Sequence, residues 1–98
     1  MENDYVSKLN GYAHLVAVLR SLESDIGLRE FTHLERYIIA TLSFDEFRDG
    51  ARTEAILSHR LLDGATPSSF YRALKKLRDR NLVGVVENRK TGVYRITI

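Results

Sequence analysis

The 98-residue chain has no cysteine and no tryptophan, one proline and one methionine. Without cysteine there is no disulfide framework, no thiolate metal centre and no cysteine nucleophile, which agrees with a reducing compartment. His14, His33 and His59 sit on different segments without metal-ligand spacing, so no metal is expected. No glycine-rich phosphate loop, internal repeat or low-complexity stretch occurs. The start, MENDYVSKLNG, is acidic and polar, without the basic region and apolar run of a secretion signal, and no run reaches membrane-spanning length. The expectation is a cytoplasmic protein.

What is present is an ordinary globular composition, 44% hydrophobic and 29% charged, at a length that suits one domain with a small core and leaves little chain for a deep catalytic cleft. The net charge of +2 hides an uneven distribution. Residues 1–65 hold seven Lys/Arg against eleven Asp/Glu, and residues 66–98 hold eight against two. A basic C-terminal third of this kind points to an anionic partner.

Residues 4–27 read as a long helix. Leu9, Tyr12, Val16, Leu19 and Ile26 recur at three- and four-residue steps, interrupted by Glu23, and Gly27 is a stop signal. Thr32-His-Leu-Glu35 is a capping box opening a second helix, with Leu34, Ile38 and Leu42, joined by Tyr37 and Ile39, on its buried side and an end near Ser43. Phe44 and Phe47 are expected to close the core, and Asp49-Gly50 to turn the chain. A third helix from Thr53 to about Arg60 turns Ala55, Ile56 and Leu57 inward, and residues 61–65 connect it to the next. Leu82–Val86 and Val93–Ile98, separated by a turn at 87–92, read as a β-hairpin with Tyr94, Ile96 and Ile98 on one face and Arg95 and Thr97 on the other.

The fourth helix, 67–80, has Thr66 as N-cap, Pro67 at its first position and Asn81 as a left-handed stop. At about 100° per residue, Phe70, Ala73, Leu74 and Leu77 form one apolar stripe. The other side carries Ser68, Arg72, Lys75 and Asp79, flanked by Ser69, Tyr71 and Lys76. Small hydroxyls near the N-terminus permit close approach to a groove, and the cations beyond them reach phosphates and base edges.

The stretch TEAILSHRLLDGATPSSFYRALKKLRDRNLV followed by GVVENRKTGVYRITI resembles a winged helix-turn-helix DNA-binding domain, most nearly the MarR-like bacterial regulators. The resemblance covers residues 32–98 and lies in the order of the elements and in Leu77-x-x-x-Asn81-Leu82-Val83. It implies an α+β, mainly α, fold: a winged helix-turn-helix with an extra long N-terminal helix (1–31) and a C-terminal hairpin wing. It implies a transcriptional regulator bound to double-stranded DNA and associated with the nucleoid. The recognition helix would be 67–80 and the wing 87–92. Ser68, Ser69, Tyr71 and Arg72 would meet bases or nearby phosphates, and Lys75, Lys76, Arg89 and Lys90 mainly phosphates. Asn81 stands where the family usually has glycine, and Asn88-Arg89-Lys90 replaces its Asp-x-Arg wing pattern. The family's C-terminal dimerisation helices would follow Ile98, so an effector site at such a junction is not implied.

The seam of the first helix admits two readings, packing on its own domain or a homodimer interface, and the homodimer is the expectation because DNA readers of this size commonly engage two half-sites. Arg36-Tyr37 and Tyr71-Arg72 each pair a tyrosine with an arginine, but no acid–base set accompanies either, so catalysis is not expected, nor any cofactor. A protein–protein interaction module and a DNA-binding role in replication or nucleoid organisation are the alternatives to transcriptional regulation.

Overall fold

The computed structural model describes residues 2–86 and 92–97, and for Glu2 and Asn3 the backbone only. Arg89, Lys90, most of the expected wing turn and Ile98 therefore lie outside the described residues. The chain divides into two compact units, Met1–Phe31 and Thr32–Ile98.

The first unit is built on one helix, α1 (Glu2–Asp25). It closes on Gly27 at φ +77°, with the Gly27 N–H donated to Ser24 C=O and the Leu28 N–H to Glu23 C=O. This is the paired pattern of a Schellman stop, which satisfies carbonyls that the helix leaves open. Glu23, the acid in the seam, is buried, whereas ten large apolar residues from Tyr5 to Ile26 are 37–71% exposed. No helix of the described residues is long and apolar enough to cross a membrane.

The second unit is an α+β body of short helices against a three-stranded antiparallel sheet. Its first helix, α2 (His33–Leu42), opens with the capping box: Thr32 Oγ1 accepts the Glu35 N–H, and Glu35 Oε1 accepts the Thr32 N–H. Ile38, Thr41 and Leu42 are fully or nearly fully buried, and the Thr41 hydroxyl is satisfied by Tyr37 C=O. Tyr37, expected on the buried side, is 41% exposed instead. A 3-10 turn, Asp45–Phe47, and Gly50 at φ +127° lead into strand β1 (Ala51–Arg52). A Cβ on Gly50 would stand 2.8 Å from methyls of both Val86 and Val93, so only glycine lets the hairpin close over this turn.

Helix α3 (Thr53–Leu57) is followed by a second 3-10 turn, Arg60–Leu62. The expected helix to Arg60 is thus cut short. His59 takes an extended conformation and its Nδ1 accepts the Leu61 N–H, starting a new turn in place of continuing the old one. Ile56 is buried as expected, but Ala55 is exposed because so short a helix buries only a narrow side. Phe44 is also 44% exposed. It lies outside the core, with its ring stacked on His59 at 5.4 Å.

Helix α4 (Pro67–Asp79) buries Phe70, Ala73, Leu74 and Leu77, the apolar stripe of its sequence. With Ile38, Leu42, Ile56, Leu62 and Val83 these make the core of the unit. Strands β2 (Val83–Val85) and β3 (Val93–Ile96) pair as the expected hairpin, and the sheet order is β1-β3-β2. Strand β1 has no counterpart in the sequence reading. Its two residues pair with Tyr94 and Val93, and the Thr53 N–H is donated to Gly92 C=O.

Candidate nucleic-acid interface

Helix α4 is positioned by devices at both ends. At the start, Thr66 Oγ1 accepts the Ser69 N–H at 3.2 Å, and its hydroxyl lies 2.9 Å from Ser69 Oγ. Pro67 occupies the first turn, where a missing N–H costs nothing. At the end, Asn81 takes φ +62°, its N–H is donated to Arg78 C=O, and the Leu82 N–H is donated to Leu77 C=O. The helix is thereby stopped within one residue, and the chain enters β2 directly.

Between these ends the outward surface is Ser68, Tyr71, Arg72, Lys75 and Asp79, all exposed. It forms a ridge with a depression on each side. On one flank a shallow cavity of about 320 Å³ lies between α4 and the N-terminal end of α2, lined by Thr32, Glu35, Ser69, Arg72 and Lys76 among others. On the other flank a cleft of about 670 Å³ separates the C-terminal half of α4 from β2, with Lys75, Arg78, Asp79 and Asn81 facing Gly84 and Val85.

The cations of this surface differ in their freedom. Lys76 Nζ lies 3.4 Å from Glu35 Oε1, whose side chain is 6% exposed against 43% for Lys76. That charge already has an acidic partner within the unit. Arg78 lies over the Tyr94 ring, 5.4 Å from its centroid, which folds its guanidinium on to the sheet. Arg72 and Lys75 are exposed on the ridge itself.

The sequence-derived site thus separates into parts. Ser68, Tyr71, Arg72 and Lys75 share one outward surface. Ser69 is half-buried and engaged with the N-cap, and Lys76 turns toward α2. Arg89 and Lys90 lie outside the described residues. Two further exposed cations, Arg52 and Arg95, were absent from the sequence-derived site. The strand register puts both on the sheet face opposite Tyr94. The alternation of β3 placed Arg95 there in advance, but nothing in the sequence announced a strand at Arg52. Among the described residues no group of three or more His, Asp or Glu gathers to hold a metal ion.

Leu9, Tyr12, Val16 and Leu19 on α1 and Ile26 just after it, the expected dimerisation seam, are all exposed. Comparison of the chain with protein-family models, with curated proteins and with solved structures returns no match.

Proposed function

We propose that the second unit is a winged helix-turn-helix domain that binds duplex DNA and that the protein regulates transcription, with α4 entering the major groove. The observation that carries this reading is the outward ridge of α4. Four buried apolar residues hold the helix against the core, while Ser68, Tyr71, Arg72 and Lys75 project from its other side. A groove about 12 Å wide admits one α-helix with its side chains, and a ridge flanked by two depressions has the matching relief. The short residues at the start allow the backbone near the base edges. Arg72, one turn further on, offers a planar fork suited to a guanine edge. Lys75 supplies a point charge for a phosphate. The order α2, β1, α3, α4, hairpin and the sheet order β1-β3-β2 agree with the winged arrangement.

The affinity term in such binding comes from counterion release, so it must fall steeply with salt. Fluorescence anisotropy with a labelled random duplex tests this first. Binding at low salt, weakening by roughly 10³–10⁵ between about 50 and 200 mM salt when six to ten phosphates are engaged in total, is expected. A log–log slope near zero, or no binding at low salt, removes the DNA reading and leaves the protein-interaction alternative. On a selected site, Arg72→Ala should cost about 1–3 kcal/mol and flatten sequence preference. If Arg72→Ala binds the selected and random duplexes as the parent does, the role assigned to Arg72 is removed.

A further inference from the structure

The exposed surface of α1 has an occupant that its own sequence describes. Tyr5, Val6, Leu9, Tyr12, Leu15, Val16, Val18, Leu19, Leu22 and Ile26 all remain exposed. Side chains of this size and exposure present about 100 Å² each, so the residues that share one side, all of these except Val6 and Val18, carry on the order of 800 Å² of apolar surface. A monomer seldom leaves an apolar patch above about 300–600 Å², and a stable complex needs about 800 Å² from each partner.

The charge pattern bounds the contact. From Leu9 to Leu19 there is no Asp, Glu, Lys or Arg, and charges flank that stretch on both sides: Glu2, Asp4 and Lys8 before it, Arg20, Glu23 and Asp25 after it. The uncharged stretch is centred on His14. An antiparallel copy centred at the same residue lays apolar on apolar, with Leu9 against Leu19 of the second copy and the large Tyr12 against the smaller Val16. A parallel copy would stack Tyr12 on Tyr12 and align the two macrodipoles. In the antiparallel pair the two macrodipoles oppose one another, and Asp4 of one helix then lies near Asp25 of the other. The helix has one polar strip, Ser7, Asn10, His14, Ser21 and Ser24, which recurs at helical spacing and stays outside the seam.

We propose that α1 pairs antiparallel with α1 of a second copy of this chain, making the protein a two-fold homodimer through its first unit. This does not rest on DNA binding, and its test reads a different quantity. Sedimentation of the full chain at micromolar concentration should give a dimer. Leu19→Asp lies in the seam and acts twice in a symmetric pair, so it should weaken association by about 100-fold or more. Ser21→Asp places the same charge on the polar strip and should leave the dimer intact. A monomeric parent, or two variants that both stay dimeric, overturns the proposal.

Because the chain has no cysteine, direction is tested by introducing it. Residues 9 and 19 are about 15 Å apart along one helix, too far for a disulfide within a chain or between like positions of an antiparallel pair. The double variant Leu9→Cys/Leu19→Cys should cross-link into a covalent dimer under mild oxidation, and each single variant should not. Cross-linking by the single variants would show a parallel pair and overturn the antiparallel one. Circular dichroism of each variant against the parent separates loss of pairing from loss of the helix.

Discussion

Lys76 Nζ and Glu35 Oε1 are 3.4 Å apart, and the same carboxylate oxygen accepts the Thr32 N–H at 2.9 Å. One side chain therefore caps α2 and ties it to α4. The consequence for DNA binding is that two adjacent lysines should behave differently. Lys75 is exposed on the ridge, whereas Lys76 is already paired. Lys75→Gln should reduce the salt slope of binding by about one phosphate equivalent, and Lys76→Gln by clearly less. Anisotropy titrations of both variants across a salt series decide it. Equal reductions would mean that Lys76 leaves Glu35 when DNA binds.

The same pair makes a prediction about stability. Glu35→Ala removes an acceptor from the partly buried Thr32 amide and leaves Lys76 without that partner, so it should cost about 1–2 kcal/mol. Glu35→Gln keeps an oxygen for the Thr32 N–H and loses only the ionic part. With Lys76 nearly half exposed, that part is worth below about 1 kcal/mol. Urea unfolding should rank the parent, Gln and Ala proteins in that order, with unchanged m-values.

A close approach in the hairpin gives a third prediction. A Cβ added to Gly84 would lie 2.6 Å from the Thr97 methyl. Thr97 cannot simply rotate away, because its hydroxyl is held 2.7 Å from Asn81 C=O. Gly84→Ala should therefore destabilise by about 1–3 kcal/mol, the usual cost of overpacking. Thr97→Ser removes the methyl and keeps the hydroxyl, so the double variant should recover most of the loss. A double-mutant cycle by thermal or urea unfolding measures the coupling. Additive losses would show that the methyl is not the obstacle.

The contrast between α4 and its neighbours explains what could be read in the sequence. The Thr66 cap, Pro67, the stripe Phe70, Ala73, Leu74 and Leu77 and the left-handed Asn81 are all signalled within a few residues of where they act. The capping box of α2 is equally local. By contrast, the Lys76–Glu35 pair joins positions far apart in the chain, and Arg78 meets Tyr94 only because the sheet folds beneath it. Strand β1 is two residues long, and its partner on β3 is what makes it a strand. His59 reads as part of a continuing helix until its ring nitrogen takes the Leu61 N–H. The seam of α1 was legible as a pattern, but periodicity alone does not distinguish a helix covered by its own domain from one left open.

Asn81 offers the sharpest test of how α4 is ended. Its φ of +62° costs a residue with a Cβ roughly 1–2 kcal/mol, less for asparagine, whose short amide tolerates this conformation, and nothing for glycine. The two bonds that follow from it, Asn81 N–H to Arg78 C=O and Leu82 N–H to Leu77 C=O, set where β2 begins. Asn81→Gly should be neutral or slightly stabilising, and Asn81→Ala should lose about 1 kcal/mol. Asn81→Val should lose more, since a β-branched side chain is least compatible with this backbone. The measurement is the unfolding midpoint of the three variants together with their affinity for duplex DNA at fixed salt. Because Val83 and Gly84 enter the sheet directly after this turn, the Val variant should also shift the hairpin relative to the ridge and weaken DNA binding beyond its loss of folded protein. If all three variants unfold at the same midpoint, the left-handed turn is not what stops the helix, and the packing of Leu77 and Val83 must do so instead.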